Sequence, residues 1–245
     1  MNISLAAEPV FYFLGIPITN TLIATWVVMG ILTLFAFLVI RKTSLIPQGW
    51  QSLFEEIFQV FLELAEAVAV GRARMFLPLV FSFFIFILTA NWFGLLPFVG
   101  SIGFYEIIHG ERVFVPFLRG ATSDLNTTLA LALVSVGAIQ YYGVKTLHLS
   151  YFKRFFDLSS PINLFVGILE LISDFAKVIS FSFRLFGNIF AGEVLLAVIA
   201  FLIPLVGSLP FFGLELFVGF IQALVFAMLT LVFLNVATAT HGREV

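Results

Sequence analysis

Residues 161–205 read PINLFVGILELISDFAKVISFSFRLFGNIFAGEVLLAVIAFLIPL, an apolar run rich in Phe and Leu with one arginine, Arg184, near its middle. A membrane-crossing helix needs about 20 apolar residues. A helical run this long must tilt strongly or lie partly along the membrane. An arginine at bilayer depth costs about 2.5–3.5 kcal/mol on insertion scales. Its guanidinium cannot shed its proton to escape that cost. A chain that keeps such a charge inside lipid uses it on something negative.

The composition agrees with a membrane setting. Hydrophobic residues make up 61% of the 245 and charged residues 11%, and the mean hydropathy is +1.14. A soluble domain carries about a quarter charged residues, so this chain cannot cover itself with polar surface. The 33 phenylalanines suit helices that face lipid. Cysteine is absent, which excludes disulfides, thiolate metal sites and cysteine nucleophiles. The three histidines, His109, His148 and His241, are too scattered to suggest a metal site. No cofactor is expected. The net charge of -2 implies no nucleic acid partner. The first twenty residues contain Glu8 and no Lys or Arg, so no cleavable signal is expected.

Working outward from residues 161–205, the pattern predicts an all-α integral membrane protein forming a single membrane domain over 1–245. Crossings are expected over about 21–40, 75–99, 124–146, 162–205 and 210–240, the last two long and strongly tilted. Residues 49–74 differ in kind. Phe54, Ile57, Phe58, Phe61, Leu62 and Leu64 alternate with Glu55, Glu56, Glu63 and Glu66 at helical spacing, which predicts an amphipathic helix along the membrane surface. Residues 100–123, polar with Gly and Pro, read as an outer loop, and residues 147–161 as an inner loop. With five crossings and the N-terminus outside, Arg41, Lys42, Arg72, Arg74, Lys145, Lys153, Arg154 and Arg243 fall inside. Only Arg112 and Arg119 fall outside, so the positive-inside rule places the N-terminus out and the C-terminus in.

Polar residues in the last two helices are few. Lys177, Ser180, Arg184 and Asn188 are spaced by three, four and four and form one stripe. Glu193 lies on roughly the opposite face, about 13 Å further toward the outer side. On the returning helix Glu215 and Gln222 share a face. If the two helices turn back near Pro204, Gln222 comes level with Arg184 and Glu215 with Glu193. That gives an Arg–Gln level at mid-membrane and a carboxylate pair nearer the outside. Such a pair does not ionise twice in lipid without cost, and suits holding and passing a proton.

Plainer readings stand beside these. Glu170, Asp174 and Lys177 also fit helix-surface pairs. Ser180 and Ser182 can bond their own backbone, Gln222 can serve as interhelical glue, and Gly187 and Gly192 can permit close packing. Asp124, followed by Leu125 and Asn126, fits a helix cap. Arg184 is different, because no acid of this chain lies within one turn of it. Its counter-charge is expected from another chain.

Residues 180–193, SFSFRLFGNIFAGE, resemble the signature of subunit a of F-type ATP synthases. Residues 86–97 (FILTANWFGLLP), 124–133 (DLNTTLALAL) and 222–230 (QALVFAMLT) resemble the same family in order and spacing. The resemblance implies that Arg184 faces a rotating ring of c subunits, each a helical hairpin with one membrane-embedded acid. It further implies that Asn188 and Gln222 flank the arginine, and that Ser180 lies one turn before it. Glu193 would be the acid of the outer half-channel, with Asp124 and Asn126 lining the same entrance. Glu215 falls where some members carry histidine, so the relay here would be carboxylate to carboxylate.

Under that reading the chain is a non-catalytic stator subunit with two offset half-channels. Protons enter past Asp124, Asn126, Glu193 and Glu215 and leave past Ser180, Asp174 and Glu170. The expected partners are the c ring, peripheral-stalk b subunits, the rest of the synthase and lipid. No nucleotide-binding loop is present, so ATP chemistry belongs to a partner. No plastid or mitochondrial targeting pattern is evident, which points to the plasma membrane of a prokaryote. The competing class is a secondary transporter or ion channel with an intramembrane arginine. Internal repeats would favour it, and none is visible.

Overall fold

The computed structural model describes residues 7–13, 15–41, 49–108, 111–155, 160–203 and 207–239. Lys42, His109, Pro204, His241 and Arg243, on which parts of the sequence reading rest, lie outside the described residues. Six α-helices dominate: α1 (Asn20–Arg41), α2 (Trp50–Val68), α3 (Ala73–Gly94), α4 (Leu125–Leu147), α5 (Pro161–Leu202) and α6 (Ser208–Thr238). Five of them, all but α2, are long and apolar enough to cross a membrane. The protein is an all-α multi-pass membrane chain.

Helix boundaries follow local chemistry. Asp124 caps α4 by accepting from the Asn126 backbone N–H at 3.0 Å. Ser160 caps α5, accepting from the Ile162 N–H at 3.3 Å, and Pro161 fills the first turn where no N–H is required. In α2, Phe61 and Ala65 are buried while Glu55, Glu56, Glu63 and Glu66 are exposed. One apolar face therefore lies against the bundle and a carboxylate face stays open.

Helix α3 is the central pillar. Of its spanning window 44% is buried within the chain, against 11% for the first span and 17% for α5. Phe76, Val80 and Ile87 of α3 and Phe226, Leu231 and Leu234 of α6 meet in one apolar core. Between helices in lipid, such contacts act through close packing rather than water exclusion. Polar ties add specificity. Asn91 donates to the Gly219 carbonyl at 2.9 Å, the Ser135 and Thr230 hydroxyls lie 2.8 Å apart, and those of Thr128 and Ser182 3.2 Å apart. Arg72 donates to the Thr238 carbonyl at 2.5 Å, and Asn235 to the Val68 carbonyl at 3.1 Å, so the junction after α2 clasps the end of α6.

Two readings of the loops are corrected. Residues 100–123 hold an antiparallel hairpin, β3 (Gly103–Ile108) with β4 (Glu111–Pro116), and a short 3-10 helix, Ala121–Ser123. A second hairpin, β1 (Pro9–Phe13) with β2 (Ile16–Thr19), precedes α1. The hairpin signal was present: two six-residue runs, GFYEII and ERVFVP, flank His109-Gly110. The Gly and Pro content of the stretch outweighed it. Residues 147–161 are likewise more than a loop, since His148–Arg154 forms a 3-10 helix. Helix α2 ends at Val68 and α3 begins at Ala73, short of and before the boundary expected at 74.

Candidate functional site

The α5–α6 hairpin and the segments packed on it arrange the polar residues in three groups along α5. In the middle, Ser180, Arg184, Asn188, Ala191 and Leu195 are all exposed and share one stripe with Ile179 and Phe183. A guanidinium nitrogen of Arg184 donates to the Ser180 hydroxyl at 3.4 Å. Among the described residues, no carboxylate lies within ion-pair distance of Arg184. One turn on, Asn188 donates to the Gln222 side-chain oxygen at 2.6 Å. Gln222 thus meets Asn188, where the sequence reading put it beside Arg184.

Toward the C-terminal end of α5, Glu215 packs its carboxylate against Gly192, where any Cβ would collide with it. Glu193 and Glu215 line one small chamber of about 10 Å³ together with Asn91 and Thr122. That is room for about one water. Glu193 makes an ion pair with Arg119, Nε to Oε2 at 3.6 Å. A cavity of about 650 Å³ opens beside this pair, lined also by Glu8 and Ser208. Asp124 and Asn126 line neither space. Asp124 instead accepts from the Thr21 hydroxyl at 3.0 Å and from Asn126, tying α1 to the start of α4.

Toward the N-terminal end, Asp174 is buried and accepts from Gln140 at 2.7 Å and from Lys177 at 2.5 Å. The Tyr151 hydroxyl donates to the Gln140 oxygen at 2.6 Å, and Lys177 lies 4.7 Å from the Phe233 ring centre. Glu170 pairs with Arg154. Burial pushes the Tyr151 phenol above its usual range, with Arg154 pulling the other way. The Asp174–Lys177 contact is the expected helix-surface pair, but Asp174 and Glu170 also reach across to other segments.

Sequence reasoning missed Arg119, Gln140, Tyr151, Asn91 and Thr122 as members of these groups. A glutamine inside an apolar span was a usable signal for Gln140, since amides there find interhelical partners. Arg119 and Tyr151 come from connecting segments, and their approach to α5 depends on tertiary folding alone.

Fold and site define a class: a multi-pass α-helical membrane protein that presents a fixed cation on an open helix face between two polar clusters. The chain belongs to the ATP synthase A chain family, whose profile matches residues 22–235. It is 36% identical over 223 residues to ATP synthase subunit a of Gloeobacter violaceus, covering 91% of this chain and 85% of that relative. As a family member it is a proton-translocating subunit in the membrane sector of an F-type ATP synthase.

Proposed function

We propose that this chain is the stator that couples proton flow to rotation of a c ring, through two offset half-channels and Arg184. The observation that carries this reading is the position of Arg184, open on the α5 stripe with no carboxylate of its own chain in reach among the described residues. The negative partner is then a carboxylate on a neighbouring subunit. The wide cavity supports an entrance from one side, leading by Glu193 and the small chamber to Glu215. Asp124 and Asn126 hold the start of α4 for that entrance.

A proton arriving by way of Glu215 neutralises a ring carboxylate. The neutral acid can travel through lipid, whereas the ionised one is strongly disfavoured there. After nearly a full turn it meets the second path near Ser180, Asp174 and Glu170 and releases its proton. The resulting anion passes Arg184, whose positive charge favours the ionised form. Because Arg184 does not exchange its proton, it also blocks a direct path between the two entrances. Unit charges 4 Å apart attract by about 4 kcal/mol at an effective dielectric of 20. Water on the exposed guanidinium weakens this, so the ring is not held fast. The Asn188–Gln222 bond ties α5 to α6 one turn beyond the arginine.

The same reading places the N-terminus outside and the C-terminus in the cytoplasm of a prokaryote, with peripheral-stalk b subunits as neighbours. In the assembled complex, Arg184→Ala is expected to abolish proton-driven ATP synthesis while the subunit remains inserted. Arg184→Lys is expected to be poor, because an ammonium lacks the planar fork and, at bilayer depth against another subunit, can lose its proton. Proton-driven synthesis by Arg184→Ala at a rate near the parent's would end this reading.

A further inference from the structure

We propose that Arg119 is a positioning residue for proton entry, holding the Glu193 carboxylate in the throat between the wide cavity and the one-water chamber. This rests on the reading of Glu193 as the entrance acid. Arg119 belongs to no membrane helix and lies between β4 and the Ala121–Ser123 helix. Its side chain is nevertheless only 12% exposed, and that of Glu193 27%.

The segment that carries Arg119 is itself fixed. Thr122 donates to the Asn91 side-chain oxygen of α3 at 2.7 Å. A Cβ on Gly94 would lie 3.2 Å from the Gly120 Cα, so the two backbones are in close contact. A Cβ on Gly120 would lie 2.7 Å from Glu193 Oε1, so any larger side chain there would push the carboxylate aside. Arg119 is therefore delivered to Glu193 from a rigid shelf on α3.

Among the described residues, Glu193 is the one ionisable side chain that lines both the cavity and the chamber. Glu8 and Arg119 face the cavity from their side, and Glu215 faces the chamber from α6. A glutamate has three rotatable bonds and, without a partner, leaves the throat readily. A chamber that takes about one water tolerates no such wandering, since relay through it needs an unbroken hydrogen-bonded line. The Arg119 ion pair, with the Ser123 hydroxyl as a second neighbour of the carboxylate, removes that freedom.

The test is proton-driven ATP synthesis by the assembled complex in proteoliposomes, with assembly checked by co-purification of the other subunits. Arg119→Gln is expected to lower the rate about tenfold through misplacement of the acid. Arg119→Lys should restore part of it, because the charge remains while the fork is lost. Glu193→Asp, too short to hold the pair, should be slow, and adding Arg119→Gln to it should change the rate by no more than about twofold. Arg119→Gln at the parent rate, or losses that multiply fully in the double variant, would overturn the role of Arg119 and leave Glu193 as the entrance acid. Should Arg119→Gln not assemble, an assembled Arg119→Lys that is slow alone but not on Glu193→Asp supports the role, and one at the parent rate overturns it. Glu193→Gln at the parent rate would instead remove the reading on which this rests.

Discussion

Arg184, Asp124 and Tyr151 show how differently a polar residue can be used in one apolar chain. Arg184 is left open, with Ser180 its near neighbour. Asp124 is fully engaged, by the Thr21 hydroxyl on one oxygen and by Asn126 on the other. Asp124→Ala is expected to destabilise the protein by about 1 kcal/mol through the lost cap, and further through the stranded Thr21 hydroxyl. Asp124→Asn should retain most of that stability. Unfolding in detergent, followed by circular dichroism, checks both. Tyr151 is 2% exposed, and its pKa is raised above 10.0 by burial. The folded state therefore binds the phenolic proton more tightly than the unfolded chain does. That contribution is complete below pH 10 and is lost as the pH climbs through the folded value. An absorbance titration at the tyrosinate band should show a component above pH 10 that Tyr151→Phe lacks.

At the scale of elements, the seat of the Glu215 carboxylate against α5 is one that only glycine at 192 permits. Glu215 occupies the space a side chain at position 192 would need. Gly192→Ala is expected to cost about 1–3 kcal/mol as overpacking and to slow proton-driven synthesis by displacing Glu215. Ser135→Ala, which removes a hydroxyl pair between α4 and α6, is expected to cost only about 0.6 kcal/mol. The two variants, compared in one unfolding series, separate packing from hydrogen bonding.

Helices were the legible part of this fold, because long apolar runs and the Glu-studded face of α2 carry their own periodicity. The stripe through Ser180, Arg184 and Asn188 was readable for the same reason, since residues three and four apart share a face. The α5–α6 register was readable to within about a turn, but the contacts made by connecting segments and by α4 were not. Arg119 counted only as a loop charge, and Tyr151 is joined to Asp174 through Gln140 over three separate segments. The hairpins were legible in principle and were masked by composition.

For the molecule as a whole, the absence of cysteine makes topology directly measurable. With a single cysteine in place of Tyr105, which is 74% exposed on β3, a membrane-impermeant maleimide should label from the outer face of intact cells. A cysteine in place of exposed Glu66 on α2 should react only after the inner face is opened. The reverse pattern would invert the proposed orientation.

One dimension of α5 has an electrical consequence. Asp174 and Glu193 are 19 residues apart on an unbroken helix, about 28 Å of axis at 1.5 Å per residue. That is already less than the roughly 30 Å hydrocarbon layer, and a 42-residue helix that tilts to fit the layer brings the two to still closer depths. Where water wets both clusters, the transmembrane voltage drops across this thinned insulator instead of the whole bilayer. The gradient is then steepest at the level of Arg184. A charge moved through that narrow zone collects nearly all of the about 2.3 kcal/mol available per 100 mV.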